Sequence, residues 1–162
     1  IILSGLVGDP ITKKYKNEAF EINNKSIINI INSCKDSNVE RLLFISTCSN
    51  YGLLSDKEFA KEETTLNPLS DYAKEKINIE KFILSLKNKV NFSPTILRFA
   101  TAFGLSPRMR FDLTVNQFTR EIYLNKKILI YDPQTWRPYC HVEDFANLIH
   151  LVINSDQDKI DF

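Results

Sequence analysis

Residues Leu66–Phe82 read "LNPLSDYAKEKINIEKF". The stretch opens as a polar loop and closes as an amphipathic helix. Ser70 is placed to cap that helix, which runs from Asp71 to about Leu86 with Ile79, Phe82, Ile83 and Leu86 as its apolar stripe. An apolar run lies on each side of it: "RLLFIS" (Arg41–Ser46) and "PTILRFA" (Pro94–Ala100), both of which read as buried strands. Strand, loop, covering helix and strand make one unit of a parallel sheet.

The pattern extends outward in both directions. Ile1–Leu3, ahead of Gly5 and Gly8, reads as a strand end and its loop. From about Asn17 to Lys35, the apolar residues Phe20, Ile27, Ile30, Ile31 and Cys34 form a helical stripe. After Ala100 come a loop with Gly104 and Pro107, a helix over roughly Leu113–Leu124 and a strand at Lys127–Tyr131. "DPQTWRPYCHVED" then reads as a structured loop, in which Trp136 is expected to cover the core, and a last helix covers roughly Glu143–Asn154. The fold class is α/β. In such sheets the ligand lies beyond the C-terminal ends of the strands, where Ser4–Gly5, Ser46–Thr47 and Thr101 fall.

The bulk composition excludes several classes. Hydrophobic residues are 43% and charged residues 25%, and 21 basic against 20 acidic residues leave a net charge of +1. That balance points away from nucleic-acid and membrane-surface binding. No apolar run approaches the roughly 20 residues that span a bilayer. Cys34, Cys48 and Cys140 have no CxxC spacing and read as free thiols in a reducing, cytoplasmic compartment. With only His141 and His150 to join them, no metal site is expected. The chain starts at Ile1 and stops at "DQDKIDF", which reads as a fragment cut at both ends.

Tyr72 and Lys76 are four apart, so they share a helix face. A phenol has a pKa near 10, and a neighbouring ammonium favours its phenolate, which makes the pair a usable acid and base. A hydroxyl from the strand end, Ser46 or Thr47, can share the substrate oxygen. Such a pair suits hydride transfer, in which the base takes an alcohol proton and a nicotinamide takes the hydride. Taken alone, Tyr and Lys at this spacing also decorate many helix surfaces.

The surroundings narrow the choice. "FISTCSNYG" (Phe44–Gly52), "NPLSDYAKEK" (Asn67–Lys76), "ILRFATAFG" (Ile96–Gly104) and "RPYCHVEDFA" (Arg137–Ala146) occur in that order. Together they resemble the extended short-chain dehydrogenase/reductase family of NAD-dependent nucleotide-sugar epimerases and dehydratases, and "IILSGLVGDP" resembles that family's fourth strand and exit loop. The resemblance implies a Rossmann-type doubly wound parallel sheet. It divides the chain into residues 1–106, the later half of the NAD-binding domain, and residues 107–162, a substrate-binding region mixed with late Rossmann elements.

By the same resemblance the catalytic residues are Thr47, Tyr72 and Lys76, supported by Asn23. Leu3, Ser4, Gly5, Ser46, Phe99 and Ala100, with Tyr72 and Lys76, would line the cofactor, NAD with NADP left open. Thr101 and Arg137 would meet a nucleotide-sugar, Arg137 through its phosphates. Arg108 and Arg110, in "SPRMRFD", read either as contacts to a phosphate or a sugar acid or as a solvated loop. A homodimer is left open. The sequence departs from the family at Ile2, Ser4, Gly5, Ser26 and Thr101, and it has no G-x-x-G-x-x-G loop, which would lie upstream of Ile1 together with the first strands. The implied function is epimerisation through a transient keto intermediate. The alternatives are a dehydratase or reductase of the same family, a non-catalytic NAD(P)-binding sensor or scaffold, and an inactive fragment. The family's dehydratases carry a T-D-E pattern where this chain has Thr47, Cys48 and Ser49. Neither of the last two is a carboxylate, so inversion is expected over elimination. Should elimination occur, Asp56 and Glu58 are the first carboxylates to examine.

Overall fold

The computed structural model describes residues 1–55, 59–156 and 159–160; Asp56 and Glu58 lie outside the described residues. The chain forms two compact units. One is Ile1–Arg98 with the described residues from Asp156 onward, and the other is Phe99–Ser155.

The first unit is built on β1 (Arg41–Thr47), which pairs with β2 (Ser93–Phe99). Ile2 forms a parallel bridge to Phe44, with Ile2 N donating to Leu43 O at 2.8 Å and Ile45 N to Ile2 O at 3.2 Å. Ser93, which opens β2, donates to Glu40 O at 2.9 Å, just ahead of β1, so β2 also runs parallel to β1. Leu42, Leu43 and Phe44 are buried in succession rather than alternately. Both faces of a parallel sheet are covered, so consecutive residues go inward. The covering helix is α4 (Asp71–Leu84), and Ser70 Oγ accepts from Ala73 N at 3.2 Å, the expected cap. Ile2, Ile27, Ile31, Leu42, Phe44, Ile79, Ile83, Leu86 and Phe92 make the core.

The helical region before β1 departs from the expected single stripe. It is α1 (Asp9–Lys14), α2 (Lys16–Phe20), a π-helical turn at Glu21–Ser26, and α3 (Ile27–Lys35). Ile27 and Ile31 are buried as expected, but Phe20 is 43% exposed and Ala19 takes the inward position. A π-turn accommodates an extra residue, which rotates the helix before it out of phase with the helix after it. Ile30, at the edge of the stripe, is also exposed.

Gly52 ties the end of β1 to the start of α4. It has φ +70, and a Cβ there would stand 2.0 Å from the Asn67 carbonyl oxygen, which is backbone and cannot move aside. Asn67 N donates to Asn50 O at 3.0 Å, so the chain returns to its starting point only three residues ahead of the Ser70 cap. Gly52→Ala is expected to cost about 2 kcal/mol or more, from the left-handed backbone and the clash together. Urea unfolding measures it, and a change below about 0.5 kcal/mol would show that the turn relaxes freely.

In the second unit, β3 (Thr101–Phe103) pairs in parallel with β4 (Tyr139–His141), Thr101 opposite Tyr139. The helices are α5 (Thr114–Asn125) and α6 (Val142–Asn154), and Phe99 stacks on Phe145 of α6 with ring centroids 4.0 Å apart. The strand expected at Lys127–Tyr131 does not form; β4 lies instead inside the stretch read as a loop. Lys126 closes α5 in the left-handed conformation, and Leu129 (69%) and Tyr131 (80%) face outward without a partner strand. Apolar content alone does not make a strand. Trp136 is likewise 97% exposed rather than covering the core, because the whole loop from Tyr131 to Tyr139 is exposed. No helix among the described residues is long and apolar enough to cross a membrane.

Candidate active site

Three chain segments meet at the C-terminal end of β1. Thr47, the last residue of β1, is half-buried, and its hydroxyl accepts from Ser49 N at 3.2 Å, which starts a single 3₁₀ turn over Cys48–Tyr51. Tyr72 and Lys76 come from the first turns of α4. Lys76 is only 4% exposed. Its Nζ donates to Ile45 O at 2.8 Å, two residues before Thr47. The same ammonium stands 4.6 Å from the Phe44 ring centroid and 5.8 Å from that of Tyr72. Ring faces attract a cation, which compensates part of its lost hydration. Lys76 therefore joins the strand end to the phenol.

Burial lowers the Lys76 pKa to about 8 from its ordinary 10.5, and the nearby Glu80 carboxylate opposes the shift. The unfolded chain thus binds more protons than the folded one between these values, so folded stability rises with pH across the window. The contribution is fully present above pH 10.5 and lost as the pH falls through about 8. Relative to Lys76→Met, the wild-type chain is expected to gain on the order of 3 kcal/mol between pH 8 and 10.5. Urea unfolding of both chains across that range checks this; a flat difference contradicts a buried, titrating lysine.

Asn23 reaches the same region from the π-helical turn. It is 1% exposed, its Oδ1 accepts from Leu6 N at 2.7 Å, and its Nδ2 donates to Leu6 O at 2.9 Å and to Glu75 Oε2 at 2.8 Å. It clips the loop after Ile2 onto α4 beside Lys76. A Cβ on Gly5 would stand 3.2 Å from Asn23 Oδ1, so this clip is close-fitting. Leu3, Ser4 and Gly5 are exposed on that loop.

Ser46 is buried and turned into a cluster that sequence reasoning missed. Its hydroxyl donates to Glu80 Oε1 at 2.5 Å and accepts from Asn50 Nδ2 at 3.0 Å. Asn50 also donates to Glu80 Oε1 at 2.8 Å. Arg98 donates Nη2 to Glu80 Oε2 at 2.7 Å, and Nη1 to the Tyr51 hydroxyl and the Glu62 carbonyl, both at 3.0 Å. The hydrogen bond to Glu80 holds the guanidinium well above its usual range. Two signals were present in the sequence. Glu80 lies four residues beyond Lys76 on one helix face, and Arg98 interrupts a buried strand, where a charge needs a partner.

The remaining candidates belong to the second unit. Thr101 N donates to Pro138 O at 3.0 Å, which sets Thr101 beside the segment carrying Arg137, itself exposed. Phe99 is held by its stack on Phe145, and Ala100 follows it half-buried. Arg108 and Arg110 follow the opposite end of β3. Arg110 Nη2 pairs with Asp112 Oδ2 at 2.5 Å and keeps that carboxyl below its ordinary range. Arg108 is exposed. Asn116 braces this loop, accepting from Gly104 N at 3.3 Å and donating to Arg110 O at 3.1 Å. His141 serves structure: its Nδ1 accepts from Glu143 N at 3.3 Å and caps α6.

The family model described as the NAD dependent epimerase/dehydratase family matches residues 1–161. The chain belongs to this family. Among curated members, the "Uncharacterized UDP-glucose epimerase YtcB" of Bacillus subtilis (strain 168) is 29% identical over 132 residues, covering 81% of this chain and 40% of that protein. The UDP-N-acetylglucosamine 4-epimerase of Methanobrevibacter ruminantium M1, solved with UDP-N-acetylmuramic acid, superposes with a TM-score of 0.82 at 23% identity, over 95% of this chain and 50% of that one. MoeE5, solved with UDP-glucuronic acid and NAD, gives 0.83 at 25% identity, over 95% and 51%. The chain thus spans about half the length of these solved family members, and less of the curated ones. The fold is the Rossmann-type α/β fold of the family, with parallel strands.

Proposed function

We propose that the protein is an NAD-dependent nucleotide-sugar epimerase in which Tyr72, Thr47 and Lys76 carry the proton chemistry. The observation that supports this most is the buried Lys76 ammonium, bonded to the Ile45 carbonyl at the strand end and 5.8 Å from the centre of the Tyr72 ring. The donor set suits the ribose and nicotinamide of a dinucleotide. Lys76 has three N–H groups, of which the Ile45 carbonyl takes one, and a ribose diol needs such a donor. The exposed backbone of Leu3–Gly5 lies at the strand edge where this fold class binds nucleotides. Bound NAD would supply a hydride acceptor for the sugar carbon and return the hydride afterwards.

The chain's own residues do the rest. Tyr72 accepts the proton of the reacting sugar hydroxyl as its carbon becomes a ketone, and returns it at the end. The Thr47 hydroxyl hydrogen-bonds the same oxygen. Lys76 holds its positive charge 5.8 Å from the centre of the Tyr72 ring, on the same helix face. Reduction on the opposite face of the ketone inverts the centre. Thr101, Arg108, Arg110 and Arg137 are the proposed contacts to the nucleotide-sugar. Solved family members bind UDP-glucose and UDP-glucuronic acid together with NAD, so UDP-hexoses are the substrates to try first.

Cys48 and Ser49 stand where elimination would need an acid and a base, so the protein is expected to invert without dehydrating. The test incubates full-length protein with NAD and UDP-glucose, UDP-N-acetylglucosamine or UDP-glucuronic acid. An epimer of unchanged mass is the expected product. A product lighter by one water, formed at an enzymatic rate, contradicts the reading.

A further inference from the structure

The proposed chemistry leaves one buried charged cluster unused. Glu80 is 1% exposed, one helical turn beyond Lys76. Its carboxylate gathers Ser46 from the residue before Thr47 and Asn50 from the turn after it. Arg98, its counter-ion, extends the grip to Tyr51 and to the Glu62 carbonyl. One carboxylate on the helix of Tyr72 and Lys76 therefore holds the chain on both sides of Thr47. A pure packing role would be served as well by two apolar side chains of similar volume, because the desolvation of a buried ion pair cancels most of its attraction. Apolar side chains, however, cannot orient a hydroxyl and an amide.

We propose that Glu80, with Arg98 as counter-ion, is the positioning residue that sets Thr47 against Tyr72 and Lys76 for proton transfer. The proposal rests on the acid–base reading of those three residues. The electrostatics agree with it: burial favours proton loss from Lys76, and the charge of Glu80 opposes that loss. The groups around the ammonium are Tyr72 and Glu80 on its own helix, the Ile45 carbonyl and Phe44 ring from β1, and, beyond Glu80, Arg98 of β2 and Tyr51 of the turn.

Two full-length variants test it. Glu80→Gln keeps the shape and an acceptor oxygen but removes the charge. The double variant Glu80→Met with Arg98→Met replaces the ion pair by an apolar one. Three quantities are read: the Lys76 titration by NMR of ε-¹³C-lysine-labelled protein (assigned with Lys76→Arg), the melting temperature, and kcat and KM for epimerisation of UDP-glucose. In Glu80→Gln the Lys76 midpoint is expected to fall by about one pH unit. In the double variant kcat is expected to fall by about tenfold or more, with KM nearly unchanged, even where the melting temperature is retained. An unmoved Lys76 midpoint, or wild-type kcat in a folded double variant, overturns the proposal. If the double variant does not fold, kcat of Glu80→Gln decides in its place: a fall of about tenfold with KM nearly unchanged supports the proposal, and wild-type kcat overturns it. If the wild-type protein converts no sugar, the epimerase reading fails, while the titration still reports whether Glu80 governs Lys76.

Discussion

Replacing Tyr72 by phenylalanine in the full-length protein is expected to cut turnover by roughly 10²–10⁴, the range for loss of a general acid–base group. NAD affinity should stay within a factor of about three, because the phenylalanine ring still faces the Lys76 ammonium, which lies 5.8 Å from the present ring centre. Only the hydroxyl is lost. Lys76→Ala should behave differently and weaken both cofactor binding and turnover, since it removes a charge from beside the phenol and a donor from the ribose. The measurements are a fluorescence titration with NAD and the initial rate of epimerisation. Wild-type turnover in Tyr72→Phe would end the assignment of this tyrosine.

Arg98→Ala is expected to be among the most damaging single changes to stability, at about 3–5 kcal/mol. Glu80 is buried at 1% exposed and Arg98 half-buried at 18%, and the two are joined at 2.7 Å. Removing the guanidinium strands a carboxylate that water cannot reach, and also releases the Tyr51 hydroxyl and the Glu62 carbonyl. An exposed pair gives the contrast. Lys25 and Glu21 are 57% and 58% exposed, and Lys25→Ala should cost no more than about 0.5 kcal/mol. Urea unfolding compares the two. A loss below about 1 kcal/mol for Arg98→Ala would mean that Glu80 finds another partner or reaches solvent.

The parts of this protein legible in its sequence are those governed by local patterns. The run Arg41–Ser46 became β1, Ser70 became a cap, and Ile79 and Ile83 turned inward, because strand burial, capping and helical periodicity depend on a few neighbouring residues. The i, i+4 spacing of Tyr72 and Lys76 placed them on one face for the same reason. The order of four motifs was enough for the family, which the match over residues 1–161 shows.

What only the tertiary structure decided depends on which distant segments meet. The sequence marks Lys127–Tyr131 as strand-like, but the segment that pairs with β3 is Tyr139–His141. Phe20 was read into a stripe that the π-helical turn put out of phase. Ser46 and Glu80 are 34 positions apart, and Glu80 and Arg98 18, so no local pattern announces their contact. The sequence by itself supplied the side chains proposed to carry the chemistry, Thr47, Tyr72 and Lys76. The packing of α4 on β1 decided that Lys76 would be buried on the Ile45 carbonyl beside Tyr72, because only a closed core removes water from that ammonium and so moves its pKa to about 8.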